Sequence, residues 1–270
     1  MFHSILCPAA CLDQFAIRSK FHLILPHLLD KLPQYKEFYK ERAKQGDHIL
    51  LDNSIFEHGY SFDYKKMIKY AEEMELTEIS APEVLKDREA SLVLREEFLN
   101  YYVKSGSKVK ILAVAQGKNL EEVEESYFEL LRIPEITTLG LPFDLDDQGD
   151  SAYSGGERIR SLTLRRVVNR WGLVDRINAI SYSKGIELKP THLMGLSDAV
   201  ELQKYKDFPW IRSNDSSTAF VHGVNLIKYT DRGLPCEKIS QKLDFAGWKI
   251  LHPQQVEFIN YNIDKILSWI

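Results

Sequence analysis

What most constrains this chain is an alternation. Seven short apolar runs, at residues 22–25, 48–51, 78–81, 109–114, 136–141, 191–194 and 209–213, are separated by longer charged, amphipathic stretches. Each run is strand-length and several are almost continuously apolar, as a strand covered on both faces of a parallel sheet reads. The intervening stretches place apolar residues at helical spacing. Tyr64, Met67, Ile68 and Ala71 form one stripe, Leu92, Val93, Phe98, Leu99 and Tyr102 another. A third pattern over 120–131 is opened by Asn119 as a cap, with Glu122 three residues on. Strand then helix, repeated, predicts a parallel α/β fold. Seven runs and one less distinct strand suit a (β/α)8 TIM-type barrel. A doubly wound sheet is the alternative, because periodicity does not say whether a sheet closes.

The period breaks after Leu141. Residues 142–156 are polar and contain glycines, and a helical pattern then runs over about 157–171. This reads as an inserted helical segment, about 142–185, after the fifth strand of a single barrel domain spanning 1–270. Hydrophobic residues make up 44% of the 270 and charged residues 27%, enough for a sizeable core. The formal net charge is −4, so any nucleic-acid surface has to be a local patch. Cys7, Cys11 and Cys236 are an odd set with no C-x-x-C spacing, which argues against a disulfide framework and a structural zinc. With no signal-peptide pattern and no apolar run of membrane-spanning length, a reduced, soluble, cytoplasmic protein is expected.

Barrel chemistry gathers where strands end. Here the ends read Asp52-Asn53-Ser54-Ile55-Phe56, Ala81-Pro82-Glu83, Ala115-Gln116-Gly117, Gly140-Leu141-Pro142, Leu193-Met194-Gly195 and Arg212-Ser213-Asn214-Asp215. Taken singly, an aspartate after a strand is a cap or turn residue, and a glycine serves a tight turn. Jointly, three runs that end in acids and two others that end in glycines, which let a flat ligand approach the backbone, suggest one site.

In these segments the chain resembles the tRNA-guanine transglycosylase superfamily. That family's D-S-G-G-F segment is similar to Asp52-Asn53-Ser54-Ile55-Phe56, its Q-G pair to Gln116-Gly117, and its L-M-G to Leu193-Met194-Gly195. Its nucleophilic aspartate one strand later corresponds to Asp215. Order and separation agree over roughly 48–220. The chain looks closer to the short phage and bacterial branch that inserts 7-deazaguanines into DNA, a queuosine-related chemistry, than to the tRNA-modifying members. It lacks the cysteine-rich zinc subdomain of the tRNA-modifying members, and Ser54-Ile55 stands in place of their double glycine.

The resemblance implies replacement of guanine by a 7-deazaguanine co-substrate through a covalent aspartyl–sugar ester, with no cofactor and no metal. Two successive displacements at the anomeric carbon retain its configuration. Asp215 would be the nucleophile and Asp52 the acid/base. Glu83 would accept from the base's N1 and exocyclic amine. Asn53, Gln116, Gly117, Gly140, Leu141, Met194 and Gly195 would line the rest of the base site. Phe56 either stacks on the purine or sits in the core. Arg212 either helps to keep Asp215 ionised or pairs structurally.

A target base must be taken out of its stack, so a nucleic-acid surface is needed, DNA before tRNA. The arginines of the helical insertion, Arg158, Arg160, Arg165, Arg166 and Arg170, are the candidates, against a merely solvated helix face. Other signals are weak. Asp144 to Gly149 resembles a calcium loop, but its twelfth position is Gly155. The histidines lack H-x-x-x-H spacing, and Gly155-Gly156 is not followed by Lys-Ser or Lys-Thr. Two other readings compete: a barrel enzyme acting on a free nucleoside or other small molecule, and a non-catalytic nucleic-acid-binding relative. Oligomeric state is not legible in the sequence.

Overall fold

The computed structural model describes residues 1–145, 153–154, 157–158, 161–247 and 250–270, with 153–154 and 157–158 as backbone. In chain order the elements are β1 (Phe2–Ile5), β2 (Phe21–Ile24), α1 (Pro26–Leu29), α2 (Pro33–Lys44), β3 (His48–Leu51), α3 (Ile55–His58), α4 (Tyr64–Glu73), β4 (Glu78–Ser80), α5 (Arg88–Ser105), β5 (Lys110–Val114), α6 (Leu120–Leu131) and β6 (Ile136–Pro142). There follow β7 (Tyr153–Ser154), β8 (Glu157–Arg158), α7 (Leu162–Lys184), β9 (Thr191–Met194), a 3-10 helix (Ala199–Asp207), β10 (Ile211–Ser216), α8 (Thr218–Val224) and α9 (Pro253–Leu267).

Eight strands form one sheet in the order β1-β10-β9-β6-β5-β4-β3-β2, all parallel and separated by helices: a (β/α)8 TIM-type barrel, as the alternation predicts. The small β7–β8 pair is antiparallel and stands outside that sheet. Strands β2, β3 and β5 bury nearly every residue, which explains why they read as unbroken apolar runs. The caps follow the sequence. Asn119 accepts from the Glu122 amide at 2.9 Å, Asp63 from Lys65, Asp87 from Ala90 and Ser161 from Leu164.

Four local differences have physical causes. The eighth strand, β1, is Phe2-His3-Ser4-Ile5; its middle is polar but buried, and His3 Nδ1 lies 2.6 Å from Asn214 Oδ1. Polar pairing rather than an apolar run specifies it. The last strand begins and ends later than 209–213, so Asp215 lies inside β10, among buried Ser213, Asn214 and Ser216. Helix α5 buries Ser91, Arg95 and Phe98, at i, i+4 and i+7, and leaves Leu92 and Val93 exposed. Finally, the helix expected over 157–171 starts after its Ser161 cap and continues to Lys184, linking the neighbouring strands β6 and β9.

The chain divides into two compact units. One holds Met1–Ala16, Pro142–Leu188 and Leu193–Ile270, the other Ile17–Leu141 with Lys189–His192. Among the described residues, no helix is long and apolar enough to cross a membrane, and no three His, Cys, Asp or Glu side chains group as a metal site requires.

Candidate active site

In the unit that carries Asp52, the segments after β3, β4 and β5 meet around a buried carboxylate. Glu83 is 3% exposed, and each of its oxygens takes an amide hydrogen: Asn53 Nδ2 at 3.1 Å and Gln116 Nε2 at 2.9 Å. The backbone sets the orientation of both amides. Asn53 Oδ1 accepts from the Ile55 amide and Gln116 Oε1 from the Lys86 amide, so only their NH2 groups are left to face Glu83. Behind them Arg95, buried on α5, donates to Val114 O at 3.3 Å and attracts Glu83. Burial pushes the Glu83 carboxyl upward, while Gln116, Asn53 and Arg95 pull the other way. Three segments that the sequence singled out separately thus form one polar network.

Asp52 follows β3 directly. Its amide donates to Ile24 O, and its Oδ2 accepts from the Ser54 amide at 2.9 Å. Ser54 takes a left-handed conformation, φ +56°, which glycine adopts freely and serine at a cost of about 1–3 kcal/mol. Ser54 Oγ lies 2.8 Å from His27 Nδ1, which helps to hold the turn. Burial, then His58 and Lys31, bring the His27 imidazole down to about 4. Phe56 is half exposed, so it is not a core residue, and Tyr60 in the same loop is exposed with its ring stacked on His58 at 5.5 Å.

The glycines here serve the protein's own packing. A Cβ at Gly140 would stand 2.8 Å from Val114 on the neighbouring strand, and one at Gly117 would stand 2.6 Å from the Val123 amide nitrogen. Leu141 is fully buried.

In the other unit the centre is Asp215, 6% exposed, whose Oδ1 accepts from the Gly195 amide at 2.8 Å. Gly195 is left-handed, φ +63°, and a Cβ there would come within 2.9 Å of Phe143. The glycine of the L-M-G segment is therefore what lets an amide point at Asp215 while Phe143 covers it. Arg170 secures the same turn. Its Nη1 donates to Gly195 O at 2.9 Å, with Met194 O at 3.4 Å, and its Nε and Nη2 form a bidentate pair with Glu201 at 2.8 and 2.6 Å. Arg170 is 1% exposed and senses the Asp215 charge, so it is removed from the DNA-contacting set. Arg212 does not take that place, since residues three apart on a strand point to opposite faces; its Nε donates to Ser213 Oγ.

The other arginines of the proposed DNA face divide. Arg166 pairs with Asp144 and lies over the Phe143 ring at 5.6 Å; Arg165 is half-buried and attracts Glu237. Arg160 and the side chain of Arg158 lie outside the described residues, as do 146–149 and 155–156 of the calcium-loop and glycine-pair segments.

Sequence reasoning missed His27, Arg95, Phe143, Glu201 and Lys238. Arg95 had a signal: an arginine four residues after Ser91 and three before Phe98. Lys238 had none, in a polar stretch without periodicity. Comparison of the chain with protein-family models and with curated proteins finds no match.

Proposed function

We propose that the chain is a base-exchange transglycosylase that replaces guanine in DNA by a 7-deazaguanine, with Asp215 as nucleophile and Asp52 as acid/base. The observation that carries this reading is the Gly195 amide on Asp215 Oδ1 at 2.8 Å. Two motifs matched independently in the sequence, twenty residues apart, form one hydrogen-bonded pair, and a backbone amide there orients the attacking carboxylate. The Glu83 network supports the base-reading part of the proposal. Each Glu83 oxygen accepts one protein donor and keeps a second lone pair for a purine's N1–H and exocyclic amine.

In the first step an Asp215 oxygen bonds to the sugar's anomeric carbon as the carbon–nitrogen bond breaks. The bonding pair leaves with the base, which takes a proton from Asp52. The incoming deazapurine returns a proton to Asp52 and displaces the Asp215 carboxylate, so the configuration is retained. A second reading, exchange or hydrolysis on a free nucleoside, is favoured by the inward turn of Arg170 and the pairing of Arg166.

The test incubates purified protein with labelled 7-deazaguanine and either duplex DNA, single-stranded DNA or deoxyguanosine. Label in DNA supports the proposal. Label in deoxyguanosine alone selects the second reading, and label in neither substrate sinks base exchange.

A further inference from the structure

Residues 236–239 form a strap pinned to two helices. Glu237 Oε2 accepts from the Thr163 amide at 3.1 Å and from Thr163 Oγ1 at 2.7 Å, at the start of α7. The Lys238 amide donates back to Thr163 Oγ1 at 2.9 Å, and the Ile239 amide donates to His222 Nε2 on α8 at 3.3 Å. Because His222 Nε2 accepts, its proton is on Nδ1, which donates to Thr218 O. A short polar segment held at this many points delivers its side chain to one place. Lys238 Nζ donates to Leu196 O at 2.6 Å, next to Gly195, and lies 4.3 Å from the centre of the Phe143 ring.

We propose that Lys238 is a positioning residue that makes the covalent step at Asp215 reversible, by favouring the carboxylate over its ester. This rests on the reading of Asp215 as nucleophile. Around Lys238 stand Arg166 on α7, which pairs with Asp144, Arg170 on α7, which pairs with Glu201 on the 3-10 helix, Asp215 on β10 and His222 on α8. While Asp215 is a carboxylate, its charge compensates one of the three cations. When it becomes a neutral ester, the base leaves neutral with the proton of Asp52, the negative charge passes to the Asp52 carboxylate, and that cation is left over. The field of Lys238 therefore raises the ester relative to the carboxylate and makes Asp215 a better leaving group for the incoming base. Burial, then Arg166 and Arg170, bring the ammonium down to about 8, against the pull of Glu201 and Asp215, so the effect fades as pH rises through that value.

Two measurements test this. The first is an NMR titration of protein with 13C-labelled lysine side chains, the Lys238 signal being assigned with Lys238→Arg. Asp215→Asn should lower the Lys238 midpoint by about half a pH unit or more, since a stabilising charge is lost; an unchanged midpoint overturns the coupling. The second follows exchange and the protein–DNA adduct on denaturing gels. Lys238→Met should raise the steady-state adduct about 3–10-fold and slow turnover, the scale of one neighbouring charge. Wild type above pH 8 should do the same, and Lys238→Arg should keep the adduct low at every pH. A purely structural lysine would not raise the adduct, so an adduct unchanged or reduced in Lys238→Met overturns the proposal. If wild type neither exchanges bases nor forms an adduct, base exchange fails, and the titration still decides whether Lys238 and Asp215 share charge.

Discussion

Glu83 and Asp215 are both buried carboxylates at strand ends, 3% and 6% exposed, yet their surroundings differ in kind. Glu83 is met by two neutral side-chain amides whose orientation the backbone dictates, with one arginine behind them. Asp215 is met by a backbone amide and lies in the field of Arg170 and Lys238. The first arrangement suits a carboxylate that stays put and reads donors, because its partners are neutral and rigid. The second suits a carboxylate whose charge changes during a reaction, because fixed cations respond most to that change. The contrast is in keeping with the proposed division, recognition at Glu83 and chemistry at Asp215.

The largest expected effect breaks the comparison at Asp215. Asp215→Ala should abolish base exchange and the covalent adduct together, because the attacking atom is gone. Glu83→Ala should still form an adduct. A variant without Asp215 that exchanges bases removes the chemical half of the contrast. Next is Asp52→Ala, expected to slow turnover by about 10²–10⁴-fold with little change in affinity for the free purine. Single-turnover kinetics beside equilibrium dialysis separate the two quantities, and a loss confined to purine affinity would move Asp52 to the reading group.

Smaller again is the binding effect of Glu83→Ala. Loss of the acceptor should weaken purine binding by about 1–3 kcal/mol, measured by calorimetry. Equal affinity in wild type and variant would leave Glu83 a structural acid held by Asn53, Gln116 and Arg95. The smallest effect concerns DNA. Arg165→Glu should lower the salt dependence of DNA binding by about one to two phosphate contacts, read from the slope of log affinity against log salt. An unchanged slope would restrict α7 to its structural work through Arg170, whose loss should cost about 3–5 kcal/mol in chemical denaturation by leaving Glu201 buried and unpaired.

Much of the fold was legible because parallel strands buried on both faces must be apolar, and six of the seven runs lie within a residue of strands. The eighth strand was not, since its buried His3 and Ser4 are satisfied by polar partners that no local pattern records. The candidate site divides the same way. Asp52, Glu83, Gln116, Gly195 and Asp215 stand out because acids, amides and glycines at strand ends are conspicuous against apolar runs. Their pairings came only from tertiary structure: Gln116 with Glu83, Gly195 with Asp215, Arg170 with Glu201. The assignment of Arg170 to a DNA face failed because helical periodicity is blind to an ion pair with a residue thirty-one positions away. Lys238 was invisible for the same reason: its place comes from a strap held by Thr163 and His222, distant in sequence. What this sequence determines alone is where strands and their chemically distinctive ends lie, because burial and backbone geometry act locally. Which charges meet is decided by packing, because a buried ion is tolerable only where the folded chain supplies its partner.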